Sequence, residues 1–534
     1  MKKPLVVLVL GVSLALACQS ESPQTTERAQ GQPLRGGTYR AALPWQPRAL
    51  DPAFSTDIYS VTVIQQVFDG LVQFDQSLNV VPALATDWRV SPDGLIYTFN
   101  LRRDVKFHNG DPVTAKDFVY SFTRLLDPTE RASVRSFFEK IKGAETYVRG
   151  KVREIAGLKA LDPYILQIEL KEPFAPFLSV LAMKSSKVMC RREVNRWGKA
   201  VGFHPVGTGP FRLDSWGDNQ IVLSGNANYF EGPPYLDRVI YTIYPGAQNE
   251  NMAKDFQAGM LEETPLYGTM TEQLVAESKF NLVRKPSLSL LFYGMNCRNE
   301  PVKDPLVRQA ISYAINKPRI IREVYKGHFV LATTTLPPGM PGYMPEDARY
   351  EYNPQKAREL LAKARHEDPS KKLSLTLLSA SQSSVAQQEL AMVAEDLAAV
   401  GIELQVQYQT DWPTFEARLS HEGLQMYRYA WFADIPDPDN FLNILFGSGS
   451  RYNFMKYSNS QVDRLLSQAL VETDVLKRAK LYREAERIIL SDAPVVPLMY
   501  LTFESAFQPY VKGLEISSLG QPYIPLKKIW LDQH

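Results

Sequence analysis

The stretch LSLTLLSASQSSVAQQELAMVAEDLAAVGIELQVQY, residues 373–408, changes its hydrophobic period twice. Leu373, Leu375 and Leu377 alternate with polar residues, and so do Ile402, Leu404 and Val406, which is the two-residue period of a half-buried strand. Between them Leu390, Val393, Ala394 and Leu397 fall on one face of a helix, and Gly401 stands where a left-handed residue ends one. Strand, helix and strand in that compass make a βαβ unit, whose two strands lie parallel. This region therefore holds a parallel sheet, and the fold class is α/β.

Outward from that unit the pattern stays mixed. Thr38 to Ala42 reads as a first strand, just after Gly36-Gly37. Tyr97, Phe99 and Leu101 alternate with Thr98 and Asn100, and Ile165, Ile168 and Leu170 mark another extended run. Thr114 with Asp117 three residues on resembles a capping box, Phe118, Phe122 and Leu125 give the helix behind it one apolar face, and Asp127-Pro128 stops it. The long charged stretch Val462 to Leu490 is helix-periodic, with one stripe at Val462, Leu465, Leu466 and Ala469 and a second at Leu481, Ala485 and Ile488. Val495 to Leu498 then returns to an extended run. No internal repeat is visible. A chain of 534 residues exceeds what one core supports, so several lobes are expected.

The first residues stand apart. Lys2 and Lys3 precede an almost wholly apolar run, Pro4 to Ala17, which ends in small residues just before Cys18. This is the anatomy of a secretory signal peptide over residues 1–17, too short for a membrane span. Cys18 occupies the place of a lipidated cysteine, with Ala15-Leu16-Ala17 a loose form of the sequence that usually precedes it. Residues 18–36 are polar enough to serve as a disordered tether. The expected location is thus the periplasm or cell surface, as a membrane-anchored lipoprotein.

Charge and motifs exclude several classes. With 60 basic and 58 acidic residues the net charge is +2, which gives no clustered basic face for nucleic acid. Cys190 and Cys297 remain in the body and could form one disulfide, and the six histidines are scattered, so neither a metal site nor a cofactor is expected. Val206 to Phe211 is glycine-rich, but no Gly-Lys-Ser/Thr follows and Pro210 lacks the amide a phosphate cradle uses, so a tight structural turn is the better reading. No nucleophile elbow and no Ser-x-x-Lys motif are present. An enzyme is not expected.

The most unusual local segment is Trp431-Phe432-Ala433-Asp434-Ile435-Pro436-Asp437-Pro438-Asp439-Asn440-Phe441. Read alone, Asp437 to Asn440 is turn and cap chemistry, Asp434 a loop acid, and Arg428 a surface charge or structural ion-pair partner.

Taken in order, the chain carries Leu50-Asp51-Pro52, then Ala85-Thr86-Asp87-Trp88, Ser91-Pro92-Asp93-Gly94, Tyr97-Thr98-Phe99, Leu101-Arg102, Val105 to Gly110, and Ala115-Lys116-Asp117 to Ser121-Phe122. After these come Gly207 to Phe211, Val307 to Ala310 with Ala314 to Lys317, Tyr352-Asn353-Pro354 with Ala357-Arg358, the Trp431 segment and Asp463 to Leu466. In content and order they resemble the oligopeptide/dipeptide-binding family of extracytoplasmic solute receptors of ABC importers, from about Gly37 to Leu498 or beyond. A departure lies at Gly259 to Glu263, where the family usually has an Asp and this chain has Glu262.

The resemblance implies a three-lobed clamshell of the type II periplasmic-binding-protein kind with an extra lobe II. Lobe I would comprise 37–60, 198–286 and 501–534, lobe II 61–197, and lobe III 287–500. One hinge crossing would lie near Leu288 to Asn296. It further implies an oligopeptide held extended between lobes I and III by β-augmentation, in which main-chain hydrogen bonds supply affinity. The partners would be the permease subunits of an ABC importer and, through the lipid anchor, the membrane; a monomer is expected. Asp434 would meet the peptide α-ammonium, with Ala430, Trp431, Phe432 and Ala433 forming the pairing strand and Trp431 a wall. Arg428 would meet a peptide carboxylate. Gln46, Pro47 and Arg48 would face the ligand from lobe I, with Gln46 standing where some peptide binders have an acid. The same fold serves murein peptides, sugars, haem and nickel. A hydrolase, or a surface adhesin or chaperone lipoprotein, is the reading from other classes.

Overall fold

In the computed structural model of the chain, residues 33–532 are described apart from 131, 133, 245–248, 267–271, 273, 275, 276, 278, 348, 365–372, 421 and 422. The expected signal peptide and Cys18 lie outside the described residues.

The period change at 373–408 becomes two strands, Leu373–Ser379 and Ile402–Tyr408, paired in parallel with Leu373 opposite Ile402 and Ser379 opposite Tyr408. The Ser384–Ala398 helix joins them. Ser383 caps it by accepting the Ala386 amide, and Gly401, at φ +87°, turns the chain back just past its end. Leu390, Val393 and Leu397 are buried as the periodicity requires, whereas Ala394 is only half-buried.

These strands form one edge of a six-stranded mixed sheet, in the order Val330–Leu331, Val495–Tyr500, Ser289–Met295, Met426–Phe432, Leu373–Ser379, Ile402–Tyr408. The Ser289–Met295 strand is buried at every position because both faces of the sheet are covered. One face packs on Phe415, Phe441, Leu466 and Tyr482, the other on Ala310, Ile311, Val393 and Leu397. Gly294 sits mid-strand because the Tyr427 ring lies over it, and a Cβ there would fall 2.2 Å from that ring.

A seven-stranded sheet runs Asn281–Pro286, Thr502–Phe507, Glu263–Pro265, Thr38–Leu43, Arg238–Ile243, Gln220–Gly225, Phe211–Trp216. Val63, Ile64, Val67 and Phe68 of the Ile58–Val67 helix and its cap pack into the core of this sheet. A four-stranded antiparallel sheet, Ala85–Val90, Ile96–Leu101, Ile165–Glu169 and Leu158–Asp162, backs on the Ala115–Leu125 helix. The capping box before that helix forms: the Thr114 amide donates to Asp117 Oδ2 at 2.8 Å.

The charged stretch after Val462 is two helices, Ser460–Val471 and Val475–Asp492, broken where Asp474 caps the second by accepting the Leu476 and Lys477 amides. The first stripe is buried as expected. The second is rotated by one residue: Tyr482, Ala485 and Ile489 are buried, while Leu481 and Ile488 are only partly so. Polar partners account for the rotation. The Tyr482 hydroxyl accepts from Arg478, and buried Glu486 accepts from the Thr335 and Leu336 amides, so aromatic and acid take the inward positions.

The glycine-rich turn is a packing device. Gly207 and Gly209 press on the end of the Ile58–Val67 helix, where a Cβ on Gly207 would lie 1.9 Å from the Val67 carbonyl oxygen. The Gly209 amide donates to that same carbonyl at 2.9 Å, and the His108 amide donates to the Gly207 carbonyl. Cys190 and Cys297 are free thiols.

The two large sheets are joined at two adjacent places. Ser287 and Leu288 link the Asn281–Pro286 strand to Ser289–Met295, at the start of the span expected to cross, and Leu501 links Val495–Tyr500 to Thr502–Phe507. The crossings are tied to each other, with the Ser287 amide donating to the Leu501 carbonyl at 2.8 Å and the Leu501 amide to Ser289 Oγ at 3.0 Å.

Candidate functional site

Beside these crossings, the Met426–Phe432 strand runs into the acidic turn. The strand pairs along its full length with Ser289–Met295, but on its other edge only Met426, Tyr427 and Arg428 pair, with Leu377, Leu378 and Ser379. From Tyr429 to Phe432 that edge has no strand partner among the described residues. Free main-chain donors and acceptors on a strand edge are a template for another extended chain.

The turn that follows is held from several sides. The Ala433 amide donates to the Leu288 carbonyl at 2.8 Å, which fixes the turn to a crossing. Asn440, almost fully buried, accepts the Asp434 amide on Oδ1 at 2.9 Å, and its main-chain oxygen accepts the Trp431 indole at 2.7 Å. Asp437 accepts both outer nitrogens of Arg478 at 2.6 and 2.7 Å, a bidentate pair from the last long helix. Asp437 Oδ1 also accepts the Asp439 amide at 3.0 Å. Asp437 to Asn440 is therefore turn chemistry, reinforced by a buried ion pair.

Asp434 is presented by this frame. Its side chain is open to water, yet protein surrounds it closely enough that burial pushes its carboxyl above the usual range, against a hydrogen bond from Asn440 and the charge of Lys184. Both statements hold for a carboxylate on the wall of a crevice, which solvent enters between low-dielectric sides. Lys184 belongs to the four-stranded-sheet unit and donates to the Ser55 carbonyl. Burial pulls its ammonium down to about 8, against Asp51, Asp434 and Asp57. Tyr523, from the last segment of the chain, has its hydroxyl pushed up to about 12 by burial, with Gln65 opposing and Asp434 adding to the rise. Ile435 is buried in the core of the four-stranded-sheet unit. Lys184 and Tyr523 carry no local sequence signal, since each reaches Asp434 from a distant part of the chain, and Gln65 reaches Tyr523 in the same way.

The remaining expected residues divide. Ala430, Trp431 and Ala433 are half-buried and Phe432 is 57% exposed. The Trp431 ring lies 5.3 Å from Tyr452. Gln46 and Arg48 are exposed after the C-terminal end of the Thr38–Leu43 strand, while Pro47 is buried. Gln46 makes only a 3.4 Å contact to the Gly217 carbonyl, and Arg48 lines a cavity of about 590 Å³ with Asp51, Asp57 and Arg124.

Arg428 is turned elsewhere. Its Nε and Nη2 donate to Glu389 Oε1 and Oε2 at 2.8 and 2.9 Å, beneath the sheet, where Tyr293 and Tyr325 also donate to Glu389. Burial would lower the guanidinium, but Glu389 outweighs it and holds Arg428 above its ordinary value. The carboxylate partner of Arg428 is thus Glu389 of its own fold, the ion-pair reading of that residue, because strand alternation points 428 away from the Trp431 face. Glu262 is likewise structural: Arg40 binds it through Nε and Nη2 at 2.9 and 2.5 Å, and the Tyr510 hydroxyl donates to it at 3.0 Å. Among the described residues no group of His, Cys, Asp or Glu is placed to hold a metal.

Comparison with known proteins bears on the family and the fold. Residues 79–453 match the family model of the bacterial extracellular solute-binding proteins, family 5. A glutathione-binding protein, GsiB, of Escherichia coli O1:K1 is 32% identical over 478 residues, covering 88% of this chain and 90% of the relative. The unliganded open form of the periplasmic murein tripeptide binding protein MppA superposes with a TM-score of 0.82 at 26% identity, over 95% of this chain and 99% of that one. The periplasmic binding protein DppA of Helicobacter pylori, in complex with the peptide STSA, superposes at 0.72 with 28% identity, over 94% and 99%. The chain belongs to the bacterial extracellular solute-binding proteins of family 5, and is therefore a solute receptor of the type II periplasmic-binding-protein fold and not an enzyme.

Proposed function

We propose that the protein captures short peptides in the cleft between its two large sheets and delivers them to an ABC importer. The observation that carries this reading is the unpaired edge of the Met426–Phe432 strand from Tyr429 onward, ending at Asp434. An extended peptide adding to that edge makes main-chain hydrogen bonds whatever its side chains, and its α-ammonium then meets the Asp434 carboxylate. Trp431 and Phe432 would flank the path, with Gln46 and Arg48, exposed beyond the Thr38–Leu43 strand, contributing from the opposite sheet. Glu389 already occupies Arg428, so the ligand's C-terminal charge is met by another group.

In this reading the lobes are 37–68, 198–286 and 501–534 for the first, 69–197 for the second and 287–500 for the third, the first boundary moved from the expected 60 to 68. The first boundary follows Phe68 because the helix before it packs in the seven-stranded core. A better superposition on an unliganded open relative than on a peptide complex supports an open arrangement. A glutathione receptor among the relatives favours small peptide-like solutes with a free amino group. A lipidated Cys18 would tether the receptor near its permease. Native mass spectrometry of detergent-extracted protein tests both parts. Co-purified peptide and an acyl mass on Cys18 are expected; a non-peptide solute would refute the first part, and an unmodified N-terminus the second.

A further inference from the structure

A cavity of about 80 Å³ lies between the end of the Ile58–Val67 helix, the Lys184–Val188 segment and the Tyr523–Lys527 segment. Gln65, Asp69, Lys187, Tyr229, Tyr523 and Lys527 line it. Lys187 is only 6% exposed, and among the described residues its ammonium makes no hydrogen bond. Gln65 Nε2, also buried, makes no hydrogen bond of good geometry among the described residues, and the one group it acts on is the Tyr523 hydroxyl. Asp69 does not complete Lys187: its oxygens accept from Thr208 at 3.0 Å and from Tyr229 at 3.3 Å, and it acts on the ammonium only at longer range. Lys527 stands at the rim, paired with Glu231 and lying over the Tyr229 ring. Donors without acceptors thus converge on one small space, and such a space suits an acceptor-only group, an anion.

The cavity adjoins the ligand site. Tyr523 lines it and feels the charge of Asp434. Gln73, Phe74, Tyr523, Pro525 and Lys527 are shared with a groove of about 220 Å³ that continues to Ser517 and Leu519. Ser518, between those two, accepts the Leu288 amide at the crossing. Through Tyr523 the cavity thus comes within electrostatic range of Asp434, and through the groove it extends toward the crossing. The space is well below the roughly 300 Å³ of a whole-ligand pocket, so it fits one functional group.

We propose that this cavity takes a carboxylate of the bound solute while Asp434 takes its ammonium, so that the receptor prefers peptides bearing an acid close to a free amino terminus. The inference rests on the peptide-receptor reading and names its specificity. Lys187 supplies the charge and Gln65 a second donor, and Lys527 shields the rim.

The test is calorimetry of the mature receptor with two tripeptides of one shape, Glu-Ala-Ala and Gln-Ala-Ala, both with free termini. The acidic peptide is expected to bind wild type at least about ten-fold tighter, as a buried charge partner allows. Lys187→Met should abolish that preference, so that the two peptides bind the variant within about two-fold of each other. Should Lys187→Met fail to fold, Lys527→Met at the cavity rim is expected to reduce the same preference. Equal binding of the two peptides by wild type, or a variant that weakens both alike, overturns the cavity's role and leaves peptide capture standing. If wild type binds neither peptide, the receptor reading falls and this inference with it.

Discussion

Removing the Arg428 guanidinium would leave Glu389, fully buried beneath the six-stranded sheet, without its counter-charge. Breaking one side of such a pair typically costs about 3–5 kcal/mol. Arg428→Met is therefore expected to lower unfolding stability by that amount in chemical denaturation; a change below about 1 kcal/mol would mean the pair is dispensable. A second residue-scale prediction concerns Glu263. It is buried in the seven-stranded sheet with Tyr39, Gln521 and Ser505 as its partners, and burial pushes its carboxyl up to about 7 against those hydrogen bonds. A raised carboxyl means the folded state keeps a proton the unfolded chain has lost. Stability from this group is thus full below about pH 4.5 and lost as pH rises toward 7. Glu263→Gln should flatten that fall and stabilise the protein at pH 8 by on the order of 2 kcal/mol. An unchanged slope between pH 4.5 and 7 would contradict the assignment. At this scale the residues alone read Asp434 as a loop acid, and only the family resemblance of its Trp-Phe-Ala-Asp setting singled it out. The sequence could not show Lys184, Tyr523 or Glu389, because their meeting is made by folding and not by proximity along the chain.

Local elements were the most legible. The 373–408 unit appears as read, since its signals of strand alternation, helix face and terminal glycine all lie within it. The helix Val475–Asp492 was legible in extent but not in rotation. Its inward face is set by Tyr482 and Glu486, whose partners Asp439 and Thr335 are remote in sequence. The unpaired edge after Arg428 was invisible beforehand, because which residues of a strand lack a neighbour depends on where the adjacent strand ends. The prediction at this scale follows from main-chain pairing. Methylating a ligand amide that donates to the Tyr429–Phe432 edge should cost about 1 kcal/mol, about five-fold in affinity, whereas changing a side chain that faces water should cost little. Competition binding with a methyl scan of one tripeptide measures this; a flat scan would mean that side chains and not the strand edge hold the ligand.

At the scale of the molecule, two short crossings tied to each other carry the connection between the large sheets, and Asp434 stands beside them. A ligand seated there closes the cleft only to the extent that it binds the closed form better than the open one. In the proposed peptide capture the ammonium–carboxylate pair would supply that difference, since closure takes both charges out of water and each then needs the other. In the open receptor Asp434 is hydrated, so replacing it strands no buried charge and the fold should persist. Calorimetry with matched tripeptides, one with a free amino terminus and one N-acetylated, tests this most directly. The free peptide should bind about 2–5 kcal/mol more tightly, roughly 30- to 5000-fold. Asp434→Ala, folded normally by circular dichroism, should lose most of that difference. Equal affinity of wild type for the two peptides would show that Asp434 is a loop acid and that the solute is not a peptide with a free amino group.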